Sequence, residues 1–341
     1  MNLPVVAIGA RTPVGLRAAT SAAAVRCEIR RVFEHPFMVD GRGEPLRAGL
    51  DARLDATRLG CIRLLTLARS ALQEALRSLF AETAERPPVD VLLCLPETRP
   101  GFTEANGTWI ATELLHGLLP GAPTLAAPGH AGVIDALRAA AGALDSGRAE
   151  IVAIVGVESY LHPDTIDWLD ADRRIAGEGN RDGFYPGEAA GCIVLANRSA
   201  QAALRRPTLA TVRGVHSAHE SISIRGEEEV LGHGLTAAVL GATASLQLPM
   251  EAVDDVYCDL NGERYRTDEW GFTLLRAGRA MRTVGYHMPA ACWGDVGAAS
   301  GALGCVLAIR AWARGYAHGP RALVWGGSEH GLRAAAVLEH A

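Results

Sequence analysis

Residues 124–158, TLAAPGHAGVIDALRAAAGALDSGRAEIVAIVGVE, constrain this chain more than any other stretch. A short apolar run ends in Pro-Gly, a helix of mostly Ala, Gly and Leu follows, Ser-Gly-Arg-Ala stops it, and an all-apolar strand comes next. Neighbours can approach a helix of small residues closely on several sides, and a strand without polar alternation is buried on both faces. The reading is strand, sharp turn, buried helix, buried strand, within an α/β protein whose sheet is covered on both sides. His130 stands at the turn, after Gly129 and ahead of the helix.

The same alternation runs through the chain. Short apolar strands such as PVVAIGA, VDVLLCLP and GCIVLAN are separated by Ala/Leu/Arg helices, one of them spanning about 56–80 with apolar residues at three- and four-residue spacing. At 341 residues the chain is long enough for one large domain or two ordinary ones. Its formal net charge of −5 and the absence of any basic run argue against nucleic-acid binding. No apolar run approaches the ~20 residues that cross a bilayer, and the opening residues do not read as a signal peptide, so a cytoplasmic protein is expected. Seven dispersed cysteines, none in a C-x-x-C pair, read as free thiols, with no cofactor and no metal site. His216, His219 and His233 read as scattered surface histidines, and the acidic run at 227–229 as a solvated loop. Lysine is absent, so every side-chain cation other than histidine is arginine, and no step that needs a lysine amine is open to this chain.

The chain also repeats itself. His130 is followed by a small-residue helix, Gly-Arg-Ala and IVAIVG; Asp295 is followed by VGAASGALGCVLAIRAWARG, Pro-Arg-Ala and LVWGG. Two similar halves follow, residues 1–205 and 206–341, joined near 198–207 and forming one compact unit.

Four segments carry a resemblance to the thiolase-fold β-ketoacyl-acyl-carrier-protein synthases: VVAIGARTPVG near the start, the 124–158 segment, NRDGFYPGEAAGCIVLA at 180–196 and GDVGAASGALG at 294–304. The third is the strongest match. The resemblance implies a five-layer αβαβα fold with two pseudo-symmetric halves. It also implies a dimer formed through the strand before the nucleophile helix, here APTLAAP at 122–128, as a homodimer or with a related subunit. Asp182 and Glu188 would fix turns and the subunit contact, and Gly183, Gly187 and Gly191 would be positions of close approach or positive φ.

In that family a cysteine thiolate takes up the acyl group, two histidines (or a histidine and an asparagine) stabilise the oxyanion, and a lysine often assists. Position by position, His130 stands for the cysteine, Asn261 in VYCDLNGERY for the first histidine and Asp295 for the second, while the lysine has no counterpart. Two functions follow. One is a non-condensing scaffold, partner subunit, adaptor or chaperone, with an acyl thioester, an acyl carrier protein or a secreted protein as partner and a link to bacterial effector secretion. The other is an acyltransferase, thioester hydrolase or decarboxylase, with His130 kept neutral by its helix N-terminus as base or nucleophile, Asp295 orienting it and Asn261 donating to an oxyanion. The loss of all reactive groups together favours the scaffold. A tunnel open to His130 would favour an acyl ligand, and a filled one the scaffold.

Overall fold

A computed structural model describes residues 2–81, 86–222 and 230–341, so the acidic run at 227–229 lies outside the described residues. Eleven strands and ten helices follow one another among them. The first half contains β1 (Leu3–Arg11), α1 (Ala18–Arg26), a hairpin of β2 (Val32–Val39) and β3 (Pro45–Gly49), α2 (Gly60–Leu79), β4 (Asp90–Cys94), α3 (Glu104–Leu114) and β5 (Thr124–Leu125). It continues through α4 (Gly132–Asp145), β6 (Ile151–Ser159), α5 (Pro163–Ala171), β7 (Glu188–Ala196) and α6 (Arg198–Ala203). Then come β8 (Ala210–His219), α7 (His233–Thr243), β9 (Asp255–Tyr257), α8 (Arg264–Ala277), the short α9 (Ala290–Trp293), α10 (Ser300–Ala313), β10 (Arg321–Gly327) and β11 (Leu332–His340). The helix read over 56–80 starts only at Gly60, and the edge strand read over 122–128 shrinks to Thr124–Leu125.

The strands run β5-β4-β6-β7-β1-β8-β11-β10-β9. A three-residue antiparallel contact, Leu3 to Val5 against Val212 to Ala210, joins the two halves. Outward from it each half has the same order: an antiparallel neighbour (β7, β11), a second antiparallel strand (β6, β10), then a parallel one (β4, β9). The first half adds β5 in parallel; in the second, two isolated parallel bridges among the described residues, Val253 to Met281 and Tyr257 to His287, occupy the equivalent place. Val155 on β6 faces Cys192 on β7.

Helices α4 and α10 lie between the halves, each touching strands of both, while α2 covers the outer face of β1, β6 and β7 and α7 that of β8 and β11, with α8 packed on α7. This is the expected five-layer αβαβα arrangement. All nine residues of β7 are buried, as are all but the last of β6, because both faces meet helices. A Cβ on Gly156 would lie 2.3 Å from Ala298 O, and one on Gly191 would lie 2.6 Å from the Ala302 Cβ, so the central helices need small neighbours. Beside the layers, the β2–β3 hairpin, α5 and Phe184 enclose a smaller apolar cluster.

Glu188 has a different role from the one expected. It is fully buried, takes the Arg63 guanidinium in two contacts of 2.5 and 2.6 Å and accepts from Asp51 N at 2.9 Å, so it ties α2 to β7 inside the protomer and cannot form a subunit contact. Replacing one partner of such a pair leaves a buried charge uncompensated. Arg63→Met is expected to cost about 3–5 kcal/mol in chemical unfolding, and Arg63→Met with Glu188→Gln to recover more than half of that.

Candidate functional site

Two glycine turns deliver the site residues. Gly129 has a φ of +78°, and a Cβ there would lie 2.6 Å from Glu97 Oε2 and 2.7 Å from Ser328 Oγ, so only glycine fits. It places His130 just ahead of α4, where Ser328 Oγ accepts from Ala131 N at 3.1 Å and donates to Pro128 O at 3.0 Å. Gly294, also at +78°, does the same for Asp295. Asp295 N donates to Tyr185 O at 2.8 Å, and Asp295 Oδ1 accepts from Gly297 N at 2.8 Å, capping the 3₁₀ turn that runs into α10.

The three residues assigned through the resemblance meet. His130 Nε2 lies 2.9 and 3.1 Å from the two oxygens of Asp295, and Asn261 Nδ2 donates to Asp295 Oδ2 at 2.6 Å. The same Nδ2 donates to Glu263 Oε2 at 2.9 Å, so both of its protons are committed to carboxylates and none remains for an oxyanion. His130 and Asp295 are buried at 2% and 3% exposure, which makes their contact an ion pair shielded from water.

The electrostatics depart from the sequence expectation at His130. Burial works against a charged imidazole, yet the adjoining Asp295 carboxylate lifts its pKa above the ordinary 6.5. Burial would raise Asp295, but His130, Arg266 and Gly297 N hold it well below the usual carboxylate range. The helix terminus was expected to keep His130 neutral; a carboxylate at 2.9 Å outweighs half a dipole charge, so the charged form is favoured more than in a free imidazole.

The sequence reading missed Arg266. This buried guanidinium of α8 donates to Asp259 Oδ2 at 2.8 Å and Gly327 O at 2.9 Å, and its Nη2 comes within 3.4 Å of His130 Nε2. That nitrogen carries the proton given to Asp295, so the Arg266 approach is one of like charges and opposes protonation of His130. Arg174 extends the network, binding Glu263 at 2.7 Å and Glu329 at 2.7 Å. One signal for these residues was available: in a chain without lysine, any cation beside the site other than histidine must be arginine, and NGERYR carries two.

A cavity of about 260 Å³ reaches Gly129 and His130. Its walls include Glu97, Glu158, Glu329, Arg99, Tyr160 and His330, and its rim carries the largely exposed His330, which sits 2.6 Å from Glu97. Arg99 pairs with Glu158 at 2.5 Å and lies over the Tyr160 ring. The approach to His130 is therefore present but ionic. His130 Nδ1, the nitrogen turned away from Asp295, is buried and has no hydrogen-bond partner among the described residues. His216, His219 and His233 form no three-ligand group among the described residues. The seven cysteines are free, and burial pushes the thiols of Cys94, Cys192, Cys258 and Cys305 up, away from the thiolate.

The sign of the linkage follows from these shifts. His130, raised, adds stability that is complete below pH 6.5 and fades as pH rises through its folded value; Asp295, lowered, adds stability that is present above pH 3.8 and is lost as pH falls through its folded value. The pair is worth most between about pH 4 and 6.5. Asp295→Asn removes the main lifting charge and leaves burial and Arg266 opposed only by the more weakly acting Asp259, so the imidazole titration of residue 130, followed by NMR, is expected to move to lower pH.

No protein-family model matches the chain, and no curated protein matches it in sequence. Solved structures do match its shape. A type II polyketide synthase acyl-carrier protein in complex with its ketosynthase bound to the hexaketide (AntDE:AntF) aligns over 100% of this chain and 99% of the matched chain, with a TM-score of 0.79 at 15% identity. The Streptomyces albus JA3453 oxazolomycin ketosynthase domain aligns over 100% of this chain and 74% of its own, with a TM-score of 0.75 at 17% identity. The ishigamide ketosynthase/chain length factor aligns over 100% and 99%, with a TM-score of 0.69 at 19% identity. Identity this low speaks for architecture alone, and the chain has the thiolase-like ketosynthase fold.

Proposed function

We propose that this protein is a non-condensing member of its fold: a scaffold or partner subunit whose former reaction centre has become a structural ion-pair network. The observation that carries the reading is the His130–Asp295 contact, in which the residue at the nucleophile turn is held by a carboxylate at 2.9 Å and crowded by Arg266. No thiol stands at that turn. Asn261 is occupied by two carboxylates, and Glu97, Glu158 and Glu329 line the approach, where Arg99, Arg174 and His330 hold them in ion pairs. His130 and Asp295 come from opposite halves, 1–205 and 206–341, which act in this reading as one unit. An acyltransferase, hydrolase or decarboxylase remains the second reading, on one observation: His130 Nδ1 has no partner and the cavity reaches its residue, an arrangement in which Asp295 orients a base.

Intact-mass measurement after incubation with acyl and malonyl thioesters is expected to show no adduct and no condensed product. His130→Cys is expected to stay inactive, because Asp295 places a negative charge where an oxyanion would develop, a penalty comparable to the ~3–4 kcal/mol lost with an oxyanion-hole donor. Turnover by the wild type overturns the scaffold reading. Ester or thioester hydrolysis that Asp295→Asn abolishes establishes the second.

The reading includes dimerisation through β5. This two-residue strand ends the sheet, and Leu125 on it is 50% exposed with no charge between residues 122 and 128 to protect the edge. Light scattering at micromolar concentration is expected to give a dimer, and Leu125→Arg a monomer. A monomeric wild type would count against dimerisation through this edge, unless a related subunit takes it.

A further inference from the structure

Away from the His130 network, Asp255, His287 and His318 are the one group among the described residues whose candidate ligand atoms all lie within 4.8 Å of one another. Asp255 opens β9 and is buried at 4%. His287 comes from the segment beside β9, registered by His287 N donating to Val256 O at 2.7 Å and Cys258 N donating to His287 O at 3.2 Å. Its ring stacks on Tyr257 with centroids 4.5 Å apart and planes 18° apart, and this aims Nε2 at Asp255 Oδ1, 3.1 Å away. His318, in the loop before β10, brings Nδ1 to 2.6 Å from the same oxygen and donates its backbone N–H to Asp255 Oδ2 at 2.9 Å.

We propose that Asp255, His287 and His318 bind one divalent transition-metal ion of the zinc class, with solvent completing its coordination. Two imidazole nitrogens and a carboxylate oxygen suit zinc, nickel or copper and are a poor set for magnesium or calcium, which take oxygen ligands. With bonds of about 2.1 Å, ligand atoms around a tetrahedral ion stand roughly 3.4 Å apart. The 3.1 Å pair is already near that spacing, and the 2.6 Å pair has to open by less than an ångström. His318 is free to make that move because its side chain is 73% exposed; that of His287 is 44% exposed, so the ion meets water on its outer side. The neighbouring Asp254 is engaged elsewhere, with the Arg282 side chain at 3.3 Å and Arg321 N at 3.0 Å, so it does not complete the set.

The location indicates what the ion does. It sits at the start of β9, whereas Asp259 and Asn261, which reach the His130 network, follow its end. This is also the side on which the second half has isolated bridges in place of a fifth strand. A bound ion would fasten His287 and His318, from two separate loops, to that edge, acting as a structural clip remote from the cavity.

The test is zinc titration of the full-length, chelator-stripped protein by calorimetry, with cobalt(II) absorbance reporting the ligand field. One equivalent of Zn²⁺ per chain is expected, with a rise in the thermal midpoint and no competition from Mg²⁺. His318→Ala is expected to weaken uptake at least about tenfold, since even outer partners of a metal ligand are worth 10–100-fold. His287→Gln with His318→Ala should abolish both uptake and midpoint rise, and unfolding of the stripped double variant confirms that it folds. Absence of saturable uptake by the wild type overturns the proposal. So does one equivalent retained by the double variant, which would place the ion elsewhere, for instance at the exposed Cys27.

Discussion

Helices α4 and α10 are enclosed by sheet on both sides, and the rest of the molecule follows from how closely they must be approached. The faces of these helices that meet the sheets leave no room for large side chains and are Ala- and Gly-rich, while the exposed Arg138 marks the side of α4 that reaches solvent. Their packing is close enough that a Cβ on Gly301 would lie 2.9 Å from the Ile134 side chain. Two helices packed this tightly also start side by side, and the turns before them bring residue 130 against residue 295 whatever those residues are. The geometry belongs to the backbone; the chemistry depends on what occupies it. Here an aspartate caps the turn leading into α10, where a negative charge is welcome, and its field makes a protonated imidazole tolerable ahead of α4, where a positive one is not.

Much of this was legible in residue order, for a physical reason. Strands buried on both faces lose their polar alternation, and β6 and β7 show it; turns that only glycine can make, as at Gly129 and Gly294, mark the sequence at fixed offsets from the residues they deliver. The convergence of His130, Asn261 and Asp295 was anticipated through the family resemblance, which assigned each of them to a site position. The rest of the network was not. Arg266 reaches His130 from a separate helix across 136 residues, and Arg174 reaches Glu263 across 89 and Glu329 across 155. No local pattern encodes these pairings, since a charged residue near a turn looks the same whether its partner is solvent or a distant carboxylate. Glu188 was misread for the same reason: its partner Arg63 lies 125 residues away, on a helix that reads as an ordinary amphipathic one. The expected state of His130 failed because a helix-terminus rule was applied without the carboxylate that overrides it.

The interior network is better regarded as a device for register than as a store of stability. Buried ion pairs roughly balance their desolvation, but a mispaired arrangement strands a charge. Arg174, Arg266, Glu263, Asp259 and Asp295 come from both halves and from both helical and loop segments. Any slip of one half against the other would separate several pairs at once. The β1–β8 contact joining the halves has only three residue pairs, so it supplies little register of its own, and the ionic contacts complement it.

The all-arginine composition has a consequence of its own in this interior. A guanidinium keeps its proton at any pH the fold survives, and Asp295 and Glu263 are held in their ionised form far into acid. Among His130, Asp295, Glu263, Arg266 and Arg174, the imidazole is then the one member whose ordinary pKa lies near neutrality, and Asp295 raises it from there. The sensitivity of this network to acidity near neutrality thus rests on one imidazole, and the carboxylate that shifts it lies 165 residues away in the chain.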